Sequence, residues 1–421
     1  MTAPTRGHLG APMVLVILTL ANLLSYASRN APFAVYDDLR AHFAVDDRDL
    51  GWLGTAFMLP HALATLPVGW LADRADRRRV LAAGVLLWSA AGILGAVLDS
   101  YAAVLATRVL VGLGTAAVVP VANAILGERY PGRHKALAMA VFNLGLFFGG
   151  AAGFGVGAGL GFPASWIAIA APGFVLAVVV VTAIDARAAA LPAAHVAVGL
   201  GAHLRHLLAD TRAVLAVPTL RRLATATTVM AFAAGGLQAW LLDFLQRDKG
   251  MSKEAATSLF TGCLVAGLFG VLAGGRVADR LRRRWVWGRP GAIALGMACT
   301  VPFGIGAILL PAGPALTACA VATMFFITWY HGPMAASVDD VAPPGREASA
   351  QAVVLFATHL LGTAPSSRII GEINERWGGR PAMLTAAVAV AVAAVLMTRA
   401  FGTIGADAAA AERARSAFAI T

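Results

Sequence analysis

Apolar runs of about 18 residues or more recur along the whole chain, and this recurrence constrains the fold more than any other feature. Each run is long enough to cross the hydrocarbon core of a bilayer as an α-helix. Hydrophobic residues make up 59% of the 421 residues and charged residues only 13%, whereas an ordinary soluble domain has about 25% charged residues. The sequence therefore predicts an all-α membrane protein that crosses the bilayer many times.

The positions of these runs predict twelve spans, six on each side of a longer polar segment. They lie at 12–35, 51–72, 79–98, 101–127, 134–160, 163–184, 220–246, 254–279, 290–310, 314–338, 347–373 and 380–401. We expect a six-helix bundle over 1–184, a linker over 185–219, and a second six-helix bundle with a tail over 220–421. In the linker, one helix face is apolar, which indicates an amphipathic helix on the membrane surface: Leu204, Leu207, Leu208, Val214 and Leu215.

The net charge of +11 comes from basic residues in short loops between the spans. They cluster after spans two, four and eight, whereas the loop after span one is acidic. The positive-inside rule then predicts that both termini and the linker are cytoplasmic. The basic charge thus indicates topology rather than nucleic-acid binding. The loop between spans seven and eight runs against this trend, with Arg247, Lys249 and Lys253.

One motif occurs at the end of the second span in each half of the chain. GWLADRADRRR begins at Gly69 and GRVADRLRRR begins at Gly275, and each has Gly-x-x-x-Asp-Arg followed by clustered arginines. The repeat indicates that the two halves arose by duplication. Such transporters carry their substrate path at the interface of the halves, near the membrane midplane.

This motif resembles the signature loop of the major facilitator superfamily. The resemblance implies two pseudo-symmetric six-helix bundles and a latch that holds the halves together when the transporter opens outward. We expect Gly69 to permit a close helix contact and Asp73 to face the positive end of a neighbouring helix. The alternative is a loop that only fixes topology. The latch residues are expected to be Gly69, Asp73, Arg74, Arg77, Gly275, Asp279 and Arg280.

Further stretches are similar to the spinster branch of that superfamily, which exports lysophospholipids and sphingosine-1-phosphate. They are NLLSYASR from Asn22, RVLVGLGTA from Arg108, GGLQAW from Gly235, and the span-eleven segments from Arg346 and Thr358. The chain departs from the branch where acids are usual, because it has Ser28, Thr115 and Thr363 there. Proton coupling through those carboxylates is therefore not available.

Arg29 and Arg108 stand in apolar spans, and neither has an acid within its own span. A guanidinium within a membrane span raises the free energy of insertion, so such residues are usually paired or functional. Two such groups facing a cavity would bind a phosphate or carboxylate; the alternative is that they donate to helix carbonyls and polar side chains. The candidate substrate-binding residues are Tyr26, Ser28, Arg29, Arg108, Thr115, Asn123, Gln238, Trp329, His331, His359 and Thr363.

Asp243 lies near the outer end of span seven, at the level of Arg29 in span one. The hypothesis is that the two form a gate pair at the outer mouth; the alternative is an interfacial acid that points to water. His61, His331 and His359 are candidate titrating groups, with packing as the alternative.

Two further patterns concern packing. Arg368 and Glu372 are spaced to pair on one helix face, and the glycine run of span five, which begins at Gly145, indicates close helix packing.

No nucleotide-binding loop, zinc-ligand cluster or nucleophile with its base is present in the sequence, so we expect no enzyme activity, no catalytic residue, no metal and no cofactor. The prediction is a monomeric secondary transporter in a bacterial inner membrane, which moves an anionic, lysophospholipid-like amphiphile by alternating access. Its partners would be membrane lipids, this substrate and protons. The alternatives are a transporter of small organic anions or drugs, and a membrane sensor or scaffold, which the missing acids favour.

Overall fold

The computed structural model describes residues 10–72, 75–130, 134–184, 200–344 and 346–418. The chain forms two compact units, Met1–Ala197 and Val198–Thr421. The described residues of the first unit form eight α-helices: α1 (Ala11–Asn30), α2 (Tyr36–Phe43), α3 (Asp47–Ala72), α4 (Arg77–Val97), α5 (Tyr101–Thr115), α6 (Val118–Arg129), α7 (His134–Leu160) and α8 (Ala164–Ala183).

The second unit has ten α-helices within the described residues: α9 (Leu200–Ala216), α10 (Pro218–Arg247), α11 (Lys253–Arg282), α12 (Gly288–Leu309), α13 (Pro314–Ile327), α14 (His331–Val341), α15 (Glu347–Ala357), α16 (Ala364–Trp377), α17 (Gly379–Thr398) and α18 (Ile404–Phe418). Short 3-10 turns extend α1 and α17 and join α13 to α14. A π-helix over Thr358–Thr363 joins α15 to α16.

The twelve-span prediction is confirmed. Among the described residues, eleven helical segments are long and apolar enough to cross a membrane. The twelfth is α3, whose 26 residues extend for about 39 Å at 1.5 Å per residue. Each predicted span overlaps one of these segments, and their bounds agree to within about four residues.

Capping residues and a glycine mark the ends of several helices. The carboxylate of Asp76 accepts from the Arg78 N–H and so caps the first turn of α4. The Arg78 guanidinium also donates to this carboxylate and lowers the pKa of Asp76. Ser252 caps α11 in the same way. Gly378, with a φ of 84°, ends α16 in a conformation that glycine adopts without strain.

The glycine run of span five packs α7 directly against α1, which confirms its predicted role. A Cβ atom added at Gly149 would lie 2.3 Å from the Leu23 carbonyl oxygen, and one at Gly153 would lie 2.6 Å from the Ala27 carbonyl oxygen. Gly145 and Gly157 make similar approaches at four-residue spacing, so one face of α7 lets the α1 backbone come close.

The linker helix and the C-terminal helix both pack within the second unit. On α9, Val214 is buried, whereas Leu208 and Leu215 are exposed; the predicted residues Leu204 and Leu207 lie outside the described side chains. That α9 lies on the membrane surface stays a prediction. Helix α18 was not expected from the sequence. Its Arg415 donates to the Asp339 carbonyl at 2.6 Å.

In the loop between α10 and α11, one of the basic residues that run against the charge trend contacts helix ends. The Lys249 ammonium donates to the carbonyls of Ile308 and Leu310, both at 2.6 Å, and so caps the end of α12. Burial lowers the pKa of Lys249 and raises the pKa of Asp248, which lies against Gly379 at the start of α17. Lys249 therefore joins helix ends within its own unit.

Candidate functional site

Three helices of the first unit bring two arginines onto one aromatic ring. A Cβ atom at Gly112 of α5 would lie 2.2 Å from the Phe57 carbonyl oxygen, so α3 lies directly on α5 at this point. The guanidinium of Arg29, at the end of α1, lies 5.9 Å from the Phe57 ring centroid, and that of Arg108 lies 5.2 Å from it. Phe57 therefore contacts two cations that are 79 residues apart in sequence.

Arg108 caps the end of α1. Its side chain is buried, with 3% exposure. Its Nη1 donates to the Ser28 carbonyl at 3.2 Å and its Nη2 to the Arg29 carbonyl at 3.5 Å. These are carbonyls of the last turn, which α1 itself leaves without partners. Trp166 lies 5.8 Å from the same guanidinium.

The charge of Arg108 is not neutralised by these contacts. Its Nε has no hydrogen-bond partner in the described part of the chain, and no carboxylate there pairs with it. Both carbonyl contacts are longer than an ordinary charge-assisted hydrogen bond of about 2.7–2.9 Å. The sequence left open whether Arg108 binds an anion or donates to helix carbonyls. The structure shows that Arg108 donates to helix carbonyls, and its Nε–H is left to bind an anion.

Arg29 lies on an aromatic surface. Its guanidinium is 5.8 Å from the ring centroid of Tyr26, one turn earlier in α1, in addition to Phe57. The arginine is half-buried. Cation–π contacts of this kind hold a guanidinium without neutralising its charge.

His61 joins this site through Thr115, the last residue of α5 before a break in span four. The His61 Nδ1 lies 3.1 Å from the Thr115 hydroxyl oxygen. Because the hydroxyl donates to the Gly112 carbonyl, its oxygen is left to accept from Nδ1–H. The His61 ring also stacks on Phe57 at 5.5 Å. His61 was expected as a candidate titrating group, and the packing of α3 on α5 is what brings it and Phe57 to this site.

The first-unit candidates thus divide into two groups. Five of them come together around Phe57, namely Tyr26, Ser28, Arg29, Arg108 and Thr115. Ser28 takes part through its backbone carbonyl. Asn123 is exposed on α6 and is not in contact with this group in any described hydrogen bond.

In the second unit, His359 and Thr363 lie in the π-helix of span eleven. A Cβ atom at Gly362, within the same segment, would lie 2.4 Å from the Thr228 carbonyl oxygen of α10. π-Helical turns are rare and often occur at functional sites. Gln238 lies on α10, half-buried. The sequence pattern had no signal for this π-helix.

The candidates in span ten have different surroundings. Trp329 is buried, and its ring contacts Phe325 and Phe326. Its backbone lies against Gly274, so packing accounts for it. His331 is exposed, with its ring 4.1 Å from that of Tyr330.

Asp243 has a cation within its own unit. The side chain is buried, with 4% residue exposure, and its carboxylate lies 3.8 Å from the Arg247 guanidinium. The expected pair of Arg368 and Glu372 is present at 2.5 Å, and Arg376 lies 2.6 Å from Glu372. That Asp243 pairs with Arg29 stays a prediction.

The latch residues are described only in part, because Asp73 and Arg74 lie outside the described residues. Arg77 is buried and donates to the Ala72 carbonyl at 3.3 Å. That Gly69 permits a close helix contact in the latch stays a prediction. Among the described residues of its own unit, a Cβ atom at Gly69 or at Gly275 would meet nothing within 4 Å. Asp279 and Arg280, in the second copy, are exposed.

No group of three or more His, Cys, Asp or Glu side chains in the described residues is placed to hold a metal ion.

Comparison with known proteins identifies the family. The sequence profile of the Major Facilitator Superfamily matches residues 18–365. The chain belongs to the Major Facilitator Superfamily. Like the superfamily members it resembles, it is a transporter and not an enzyme.

Within the superfamily, the chain resembles spinster proteins. It is 28% identical over 387 residues to the sphingosine-1-phosphate transporter SPNS2 of Mus musculus, a match that covers 85% of this chain and 69% of that protein. It is 26% identical over 414 residues to protein spinster homolog 1 of Bos taurus, covering 89% of this chain and 75% of that protein.

The fold agrees with this. A solved bacterial homologue of the human lysosomal transporter Spinster superposes with a TM-score of 0.80 at 22% identity, covering 94% of this chain and 98% of the other. The resemblance to the spinster branch that the motifs indicated is confirmed.

Proposed function

We propose that this transporter moves an anionic, lysophospholipid-like amphiphile across a bacterial inner membrane by alternating access. One observation carries the proposal: the buried guanidinium of Arg108 has no carboxylate partner among the described residues, and its Nε is unused. A phosphate that accepts from Arg108 would satisfy this donor and compensate the charge. The mouse relative is named for a substrate of the same chemistry, an amphiphile with one phosphate.

The other residues around Phe57 suit the same substrate. Arg29 contacts the same ring and supplies a second cation for a dianionic headgroup. Tyr26 and Phe57 provide aromatic surface for the carbons next to the phosphate. The side chains of Ser28 and Thr115 are uncharged, so neither repels an anion at this site.

Transport without proton coupling is part of the proposal. Spinster proteins usually have acids that could carry a proton at three positions. This chain has Ser28, Thr115 and Thr363 there instead. If uptake depended on a pH gradient, His61, which donates from Nδ1 to Thr115, would be the first residue to substitute.

The test is uptake into proteoliposomes that contain the purified full-length protein. Labelled lysophosphatidylglycerol, which is anionic, should move faster than zwitterionic lysophosphatidylcholine and faster than in protein-free vesicles, with equal rates with and without a pH gradient. Movement of small organic anions but of neither lipid would assign the protein to that substrate class. If nothing moves, the protein is a sensor or scaffold, and the proposal is wrong.

We also propose that the protein is a monomer with both termini cytoplasmic. The arginines after spans two and eight support this orientation, and Lys249 no longer opposes it, because that residue caps α12. A C-terminal fusion to a reporter that fluoresces only in the cytoplasm tests the orientation. Light scattering of the purified protein tests the oligomeric state.

A further inference from the structure

The loop between α11 and α12 exposes a stack of aromatic rings beside arginines that have no ion pair among the described residues. Trp285 stacks on Trp287 at 5.1 Å with the planes 9° apart, and Trp287 stacks on Phe401 at 4.8 Å with the planes 18° apart. Trp287 and Phe401 pack against the core of the second unit. Trp285, at the outer end of the stack, is 42% exposed, and its neighbour Val286 is also exposed.

The loop that carries this stack is tightly built. Gly288 donates to the Trp285 carbonyl at 2.9 Å, and Trp285 donates to the Leu281 carbonyl at the same distance. A Cβ atom at Gly288 would lie 2.2 Å from backbone atoms of Leu281 and Arg282, so the turn closes fully only with glycine. The exposed tryptophan is therefore held in place by the fold.

The arginines of this loop have two different surroundings. Arg282 and Arg289 both contact the carboxylate of Asp340. Arg283 and Arg284 are exposed, and among the described residues neither has a hydrogen bond or ion pair from its side chain. The second chain segment at the stack adds another cation, because Arg399 is exposed and lies two residues before Phe401. Its carbonyl accepts from Arg222 at 2.7 Å, which fixes the segment.

We define the basic–aromatic patch as these six residues: Arg283, Arg284, Trp285, Trp287, Arg399 and Phe401. It lies where span eight ends at Arg282, span nine begins at Gly288 and span twelve ends at Gly402, and so at the membrane boundary. Tryptophan at that level sits among lipid headgroups. Clustered arginines next to a span attract anionic lipids.

We infer that the basic–aromatic patch is a binding site for an anionic phospholipid of the surrounding bilayer. The phosphate lies against Arg283 and Arg284, and the glycerol and first acyl carbons lie against the exposed face of Trp285. The charge of the patch selects anionic over zwitterionic headgroups. This site is separate from the Arg108 site, and neither requires the other.

The experiment counts lipids bound to delipidated, full-length protein by native mass spectrometry, with short-chain phosphatidylglycerol and phosphatidylcholine titrated separately. The wild type should bind the first phosphatidylglycerol more tightly than phosphatidylcholine. Each arginine near an anionic surface contributes about fivefold, so Arg283→Gln with Arg284→Gln should weaken phosphatidylglycerol binding by about 25-fold and leave phosphatidylcholine binding unchanged. Trp285→Ala should weaken the binding of both lipids.

Matched controls exist in the same unit. Arg413→Gln removes an exposed arginine of α18, and Trp377→Ala removes a tryptophan that is 65% exposed at the end of α16. Both should bind the two lipids as the wild type does. Retained phosphatidylcholine binding by the double arginine variant shows that it is folded.

Three results would overturn the inference. One is equal affinity of the wild type for both lipids, and another is wild-type phosphatidylglycerol binding by the double variant. The third is a loss of phosphatidylglycerol binding in Arg108→Gln alone, which would place the lipid in the first unit.

Discussion

Replacing Arg108 by glutamine separates its two roles, the capping of α1 and the proposed contact with a substrate anion. A phosphate that loses a hydrogen bond to a charged group loses about 1.5–3 kcal/mol, which is roughly 10- to 150-fold in Kd. The capping contacts, at 3.2 and 3.5 Å, are weak, and glutamine still has an amide donor. Their loss should lower the free energy of unfolding by only about 0.5–1.5 kcal/mol.

The cation–π contacts add to this stability effect. Arg108 lies over Phe57 and Trp166, and each contact contributes about 0.5–1 kcal/mol or somewhat more when buried. A total loss of roughly 2–3 kcal/mol leaves the protein folded and does not by itself change the affinity of the folded form. Arg108→Lys keeps the charge but loses the fork of donors, so we expect a smaller loss of about tenfold in Kd.

The assay is binding of lysophosphatidylglycerol by isothermal calorimetry, with the denaturation midpoint of each variant measured on the same sample. Arg79→Gln is the control, because it removes the same charge from the same unit at a side chain that is 80% exposed. It should bind as the wild type does. A variant Arg108→Gln that is less stable but binds within twofold of the wild type would show that Arg108 only caps α1, and would refute the reasoning.

Three further predictions follow from other contacts. If Asp243 and Arg29 form the outer gate, transport should be lost in Asp243→Arg and in Arg29→Asp and restored in the double swap; no recovery rules out the pair. Ser28→Asp places a carboxylate beside Arg29 in sequence and should weaken binding of lysophosphatidylglycerol and make uptake depend on a pH gradient, and if neither changes, this pocket is not the site. Lys249→Met removes two hydrogen bonds to the end of α12 and should lower the unfolding free energy by about 1 kcal/mol or more, whereas Lys249→Arg should recover most of it; equal denaturation midpoints for all three proteins would contradict this.

The span assignments could be predicted closely because hydrophobic length is a local property. A run such as 134–160 contains enough apolar residues to cross the bilayer whatever packs beside it, and the structure has a helix over the same residues. The glycine spacing of that helix was equally readable, since four-residue steps place Gly149 and Gly153 on one face. Helix α18 escaped prediction because contacts with other segments, such as Arg415 to the Asp339 carbonyl, hold it.

The candidate site was predictable in its residue types but not in its contacts. The sequence identified Arg29 and Arg108 as charges with no acid in their own spans, and it identified the missing carboxylates at Ser28 and Thr115. The contacts of Phe57 and His61 have no such signal, because an aromatic ring or a histidine in an apolar span is as suitable for packing as for a site.

Local patterns were enough to predict the class of the protein, its twelve spans, its internal repeat and its family, since each depends on segments that are contiguous in the chain. The contacts of Arg108, in contrast, depend on tertiary packing. Arg108 meets the Ser28 carbonyl across 80 residues of chain, and it does so because Gly112 and Gly153 let α3 and α1 lie close to their neighbours. Such contacts depend on how helices pack, and no local pattern encodes which carbonyl a distant guanidinium will reach.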